Sequence, residues 1–472
     1  MLAFRRQNHQ ENATVLSDLA ATEGLITELY TSAVDQLGSD TAPIRFGGLC
    51  ALERLAQDNP AQRQTIVDVI CAYLRMPFPP TAPAGKPEPD VAEDQDGPPA
   101  ESESGTAGIG STWQQERQLR LTAQRILAEH LRDDRAGDRG SADPSSLRFW
   151  KNIRLDLSGA TLIDFNLVEA TMADANFHGA AFSGDASFGG ADFRGAARFG
   201  GATFSGDASF AGATFRRAGR FGGTTFGGDA RFERAIFRDA ASFSEAVFRG
   251  DALFGRAAFS RVAGFRKATF GGVAGFGEAT FGSDAGFGGA IFTGSAWFGE
   301  ATFGGAAGFG GATFGGDACF NEAAFGGVAG FGEVSFGGDA WFDKVTFSRG
   351  ASFDTAAFTG GVWFGDAAFS GDAGFGEVSF GGDAWFDKVT FSRGASFDEA
   401  AFTGDAGFGG ATFSGGAWFG AATFKGGADA LHFKQARVLS AGAAHVWPTG
   451  WRLAGADGGG YTVVRATHDG GC

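Results

Sequence analysis

The chain has 472 residues, of which 79 are Gly and 52 Phe against 3 Tyr and 3 Met, a bias foreign to an average globular enzyme. A hydrophobic content of 43% with a formal net charge of -16 points to a large core rather than a disordered polyanion, and disfavours direct contact with nucleic acid. No long apolar run occurs and the start at Met1 soon turns polar, so neither a transmembrane helix nor a secretory signal peptide is expected. The expected location is the cytoplasm, at most peripheral to a membrane.

The first elements are helical. Leu16, Leu19, Ile26, Tyr30, Ala33 and Leu37 recur at helical spacings and suggest an amphipathic helix or a short coiled-coil seam. After Gly38, Pro43 opens a second helix through Leu49, Leu52 and Leu55. Asn59 and Pro60 start a third that carries Ile66, Val69, Ile70, Tyr73 and Leu74, and the last two helices read as one antiparallel hairpin. Residues 77–112 hold 8 of the 12 prolines among acidic and small residues, the composition of a disordered linker. A further helix carries Leu119, Ala123, Ile126, Leu127 and Leu131. Together these features divide the chain into a helical region 1–76, a linker 77–112, a helix with a second linker 113–146, a repeat region 147–438 and a C-terminal cap with a hairpin 439–472.

From Leu157 the periodicity changes. Leu157, Leu162, Leu167, Met172, Phe177 and Phe182 fall every fifth residue, with Leu155, Ala160, Phe165, Ala170, Ala175 and Ala180 two places ahead of each. Beyond Phe182 the spacing alternates six and five, with Phe at every one of these positions to Phe424. A disordered Phe-Gly polymer has no need of such register, so the pattern describes a solenoid.

The stretch from Leu155 to Phe182, clearest at Ala175-Asn176-Phe177, resembles the A(D/N)LXX motif of pentapeptide-repeat proteins. The resemblance covers about residues 155–438 and implies a right-handed quadrilateral β-helix in which the central residue, here Phe, and the small residue two before it point inward. The alternating five and six resembles a Phe-rich subclass. Two sequence features support a coil of 22 residues. Trp297, Cys319, Trp341, Trp363 and Trp385 share one series at intervals of 22, whereas the series offset by 11 is almost all Gly and Ser. The segment from Gly332 to Asp354 recurs letter for letter from Gly376 to Asp398, an offset of two such coils. Glycines are expected at the corners for backbone angles that other residues resist. The front cap is assigned to Leu147, Phe149, Trp150 and the preceding helix, and the rear cap to Val446, Trp447, Trp451 and a hairpin turning at Gly458-Gly459-Gly460.

No catalytic constellation is legible. The six histidines are scattered, no metal-binding spacing occurs, and Cys50, Cys71, Cys319 and Cys472 lie far apart, as reduced thiols would. Triplets such as Gly308-Phe309-Gly310 mimic a dinucleotide loop but have Thr313 where a third glycine belongs. Neither catalytic residues, a metal nor a cofactor is expected.

Three outward features remain as candidates. Trp297, Trp341, Trp363 and Trp385 form an aromatic column suited to an interface, or to self-stacking that stiffens the rod. Asp185, Asp207, Asp229, Asp251, Asp317, Asp339, Asp383 and Asp405 form an acidic column that awaits a cationic partner, or caps a corner through local amides. Arg194, Arg216 and Arg238, with Arg198 and Arg220, form a candidate anion-binding patch. The rod is also polar along its length: residues 183–267 carry 13 basic and 8 acidic side chains, residues 268–424 carry 4 and 17.

The leading expectation is therefore a non-enzymatic scaffold for protein-protein interaction, with an unidentified protein partner and a homodimer through the helical N-terminus or the C-terminal cap. Residues Arg45 to Leu55 are similar to the helical segment that precedes the repeats in a group of bacterial pentapeptide-repeat proteins. The alternative implied by the resemblance is a DNA-mimicking inhibitor of gyrase, a type II topoisomerase, with residues 268–424 as the mimic.

Overall fold

A computed structural model describes residues 2–79, 104–133, 148–440, 442–456 and 460–466. The core of the linker, the second linker, Leu147, Cys472 and the glycine turn before Gly460 lie outside the described residues. Among the described residues, four α-helices precede the solenoid: α1 (Leu2–Leu37), α2 (Ala42–Asp58), α3 (Arg63–Arg75) and α4 (Ser104–Leu131). Helix α4 begins inside the segment whose composition reads as linker. Its apolar positions Leu119, Ala123, Ile126 and Leu127 pack with Leu49, Leu52, Ile66 and Ile70 into a core continuous with that of the solenoid.

The solenoid makes about 13 turns of roughly 22 residues, as a right-handed β-helix. Each turn passes four faces. Face 1 is a 14-stranded sheet running from Arg154–Asp156 to His445–Val446. Faces 2 and 3, represented by Thr203–Phe204 and Ala208–Ser209, belong to one 24-stranded sheet. Face 4 runs from Thr171–Met172 to Arg437–Val438 within a 15-stranded sheet. Most strands are two residues long and pair in parallel with the residue 22 positions on, as Thr214 does with Ile236. The first coils pair at shorter offsets, Leu155 with Ala175, because their corners lack the sixth residue.

Phe fills the interior. Phe309 stacks on Phe287 and Phe331 at 4.8 Å between centroids, with interplanar angles of 3°, and meets Phe298 and Phe320 edge-on at 5.5 Å. Its neighbours along the chain, Ala307 and Ala312, are buried, and their small side chains leave the space the rings occupy.

Glycine does two jobs rather than the one expected. In the five-residue corners the second residue after Phe takes a left-handed conformation, yet it is as readily Glu278, Lys267 or Arg256, with φ of 57°, 55° and 58°, as Gly. The glycines of the six-residue corners, apart from Gly184 in the first coils, have no such φ; those second after Phe in the corner between faces 2 and 3 are required by crowding. A Cβ on Gly228 would lie 2.5 Å from Asp207 Oδ1 and 2.7 Å from the Gly206 carbonyl carbon. Successive coils approach too closely there for any side chain.

Both ends are closed. At the front, the Gln64 side chain donates to the Arg154 carbonyl and accepts from its N–H, both at 2.9 Å, and Gln124 does the same at Ile163 at 2.6 and 2.9 Å. Each glutamine thereby stands in for the missing preceding strand. Trp150, fully buried, stacks on His130 at 3.9 Å and donates to Gln57. Arg120, also buried, donates to the carbonyls of Leu74 and Met76 and to Glu116. At the rear, Trp447 lies against Phe419 and Phe433, Trp451 against Phe433, and an antiparallel hairpin of Trp451–Gly455 and Tyr461–Arg465 covers Arg437–Val438.

Candidate functional site

The faces sort the three candidate columns. The aromatic column lies on face 3, where Trp297, Cys319, Trp341, Trp363 and Trp385 occupy successive strands in register, flanked by Gly275 and Gly407. Only Trp297 is openly exposed, at 46%; the other three are half-buried. Trp341 and Trp363 stack at 5.6 Å and 12°, and the Trp385 ring lies over Gly407, where a Cβ would come within 2.3 Å of it. The column is therefore a partly self-packed ladder with one free end, not a fully exposed stripe. Trp418, which the spacing did not single out, stands on face 1 over Gly394 and Gly416. It continues the offset series after Ser396, so its signal was present in the spacing.

The acidic column turns out to bond along the rod rather than within its corner. Asp185 Oδ1 accepts the Asp207 N–H at 2.9 Å, Asp207 that of Asp229 at 3.0 Å, and Asp229 that of Asp251 at 3.0 Å. Asp251 accepts from Val273, Asp317 from Asp339, Asp339 from Gly361 and Asp383 from Asp405. The sixth residue of the corner carries an amide with no strand partner, and the carboxylate one coil earlier satisfies it. Asp405 has no such amide partner among the described residues. A second column, missed by the spacing argument, repeats the device after the Phe of face 3 and face 1. Asn321 accepts from Asp343, Asp343 from Gly365, Asp354 from Gly376, Asp387 from Gly409 and Asp398 from Gly420. Burial pushes the Asp343 carboxyl above its ordinary range.

The arginines border the corner between faces 4 and 1. Asp192 receives Arg194 at 3.2 Å and a two-pronged contact from Arg216 at 2.7 and 3.0 Å. Burial alone would raise the Asp192 carboxyl, but the combined hydrogen bonds and charge of Arg216 and Arg194 hold it below its usual range. Arg198 and Arg220 are adjacent in register on face 1 and exposed, and with Arg238 they have no ion pair among the described residues. The patch is thus partly neutralised at Asp192 and open on face 1.

Among the described residues no group of three or more His, Cys, Asp or Glu is placed to hold a metal ion. No helix is long and apolar enough to cross a membrane, again among the described residues. A four-faced coil with inward Phe, small inward partners and carboxylates that tie coil to coil defines a pentapeptide-type β-solenoid. The comparison with families agrees: the profile described as Pentapeptide repeats (9 copies) matches repeatedly from residue 188 to residue 430, and Pentapeptide repeats (8 copies) matches 154–184. The chain belongs to the pentapeptide-repeat family. No curated protein and no solved structure matches it.

Proposed function

We propose that the chain is a non-catalytic scaffold whose rod offers its outer faces to a protein partner, with the aromatic column of face 3 as the docking element. The observation that carries this reading is the half-buried ladder of Trp341, Trp363 and Trp385 leading to the exposed Trp297, bordered by Gly275 and Gly407. Large aromatic groups held at fixed spacing on a stiff sheet supply binding area at low cost in side-chain entropy. The gyrase-inhibitor alternative finds less support. The acidic column spends one oxygen of nearly every carboxylate on the next coil's amide, and the front half of the rod is basic.

The test is affinity capture with the wild-type chain beside Trp341→Ser/Trp363→Ser/Trp385→Ser. Selective loss of a retained protein supports the reading, and identical retention by both forms removes face 3 from it.

A further inference from the structure

We infer that face 1 is a self-complementary surface on which a second copy of this chain docks antiparallel, centred between Gly286 and Gly308. At the middle of face 1 the outward positions of four consecutive strands, Gly264, Gly286, Gly308 and Gly330, carry no side chain. A Cβ on Gly286 or Gly308 would meet nothing within 4 Å, so these glycines answer to no crowding within the chain. A bare strip would by itself say nothing about an occupant; the charges on either side of it do.

Counted from the midpoint, Ser242 and Ser352 stand at equal distance on opposite sides, and Arg220 and Arg198 then stand level with Gly374 and Ser396. Carboxylates overhang those two places. Asp354 accepts from Ser352 Oγ at 2.7 Å and projects across Gly374, where a Cβ would lie 2.7 Å from its Oδ1. Asp398 accepts from Ser396 Oγ at 3.1 Å. A two-fold axis across the face through the midpoint therefore sets Arg220 of one copy against Asp354 of the other, and Arg198 against Asp398, each pair occurring twice.

The corners obey the same symmetry. Val262 and Val328, 51% and 54% exposed, precede Gly264 and Gly330 by the same two residues on the corner between faces 4 and 1. The axis brings them together and covers two exposed apolar side chains that nothing else covers. On the opposite corner Arg266 comes level with Glu333. Three like-charged pairs also fall at the corners, Arg194 with Arg393, Arg238 with Arg349 and Glu245 with Asp354; solvent screens them, while Asp239 comes level with Arg349, and Arg216 and Arg217 with Asp372. A parallel pairing would instead set Arg198 and Arg220 against themselves. The strip from Arg198 to Ser396 is roughly 45 Å long at the strand spacing and, with its corners, roughly 15 Å wide, about 700 Å² per copy, close to a standard interface. The pairing uses face 1 and leaves the aromatic column of face 3 open.

The experiment is sedimentation velocity on the full chain at physiological salt, with circular dichroism as the control for folding. The wild type is expected to dimerise. Gly308→Arg, which fits the isolated rod, is expected to weaken the dimer by about a hundredfold or more by filling the centre of the contact. Arg266→Glu should weaken it about tenfold, because an isologous interface feels each change twice. Arg266→Glu/Glu333→Arg should restore it; arginine already takes the same left-handed conformation in the corner after face 3, at Arg234 and Arg256. A wild type that is monomeric at about 100 µM overturns the proposal. So does a dimer indifferent to Gly308→Arg, which would place the contact at the helical or C-terminal end, or a double variant no tighter than the single one.

Discussion

Replacing Asp339 separates the two things its carboxylate does. Its Oδ1 accepts the half-buried Gly361 N–H at 2.8 Å, while its own N–H is accepted by Asp317, one coil earlier, at 3.1 Å. Alanine leaves the Gly361 amide without its acceptor, a loss of about 1–3 kcal/mol for a buried donor. Asparagine keeps a side-chain oxygen for that amide and removes the repulsion between two carboxylates one strand spacing apart, which in a water-like medium is about 1 kcal/mol. Asp339→Ala should therefore destabilise the rod locally by about 1–3 kcal/mol, and Asp339→Asn should be neutral or stabilising by up to about 1 kcal/mol. A solenoid need not unfold in one step, so the measurement is native-state hydrogen exchange read at Gly361 and the adjoining coils. Equal loss of protection in both variants would show that the charge, not the acceptor, matters. No loss in Asp339→Ala would refute the ladder as a stabilising device.

Other consequences are equally open to measurement. Phe309→Ala removes a ring from two stacked and three edge-on contacts and should cost about 3–5 kcal/mol, read as new protease cleavage between the coils of Phe287 and Phe331. Gly228→Ala forces a Cβ onto the Gly206 backbone and should lower thermal stability, whereas Gly255→Ala, whose nearest neighbour is the Gly277 oxygen at 3.8 Å, should be tolerated; similar melting of the two would contradict the crowding argument. The hydrogen bond from His130 holds the Glu53 carboxyl below its ordinary range. An acid depressed by folding stabilises above its unfolded value, about 4.3, and that contribution is lost as pH falls through the lower folded value. Acid titration of helix-cap stability should thus be shallower in Glu53→Gln than in the wild type.

The solenoid was legible because every Phe obeys one rule and the rule has a period. Residues whose role is repeated 22 positions later announce themselves, and the Trp and Asp columns did. What the sequence withheld acts once or acts across faces. Gln64 and Gln124 close strand edges lying 90 and 39 residues away, and a glutamine in an amphipathic helix carries no mark of that task. The two kinds of corner glycine look alike in the sequence and differ only in φ and in the distance to the coil beneath. The acidic column was visible, but its acceptor function depends on the unpaired amide of the six-residue corner, a property of the coil and not of the spacing. The face 1 symmetry needed the strand register before Arg220 and Asp354 could be counted from a common origin.

The letter-for-letter recurrence of residues 332–354 at 376–398 has a mechanical meaning once the ends are understood. Because each strand bonds only to its counterparts one coil away, and because the closing glutamines and terminal hairpin touch only the outermost coils, two whole turns can be copied into the interior while both ends keep their fit. Length in such a molecule comes in quanta of about 4.8 Å per turn, without rotation of one face into another. The rod is graduated like a ruler to which coils can be added by duplication, and the distance between its helical end and its hairpin end is a heritable quantity adjusted one coil at a time.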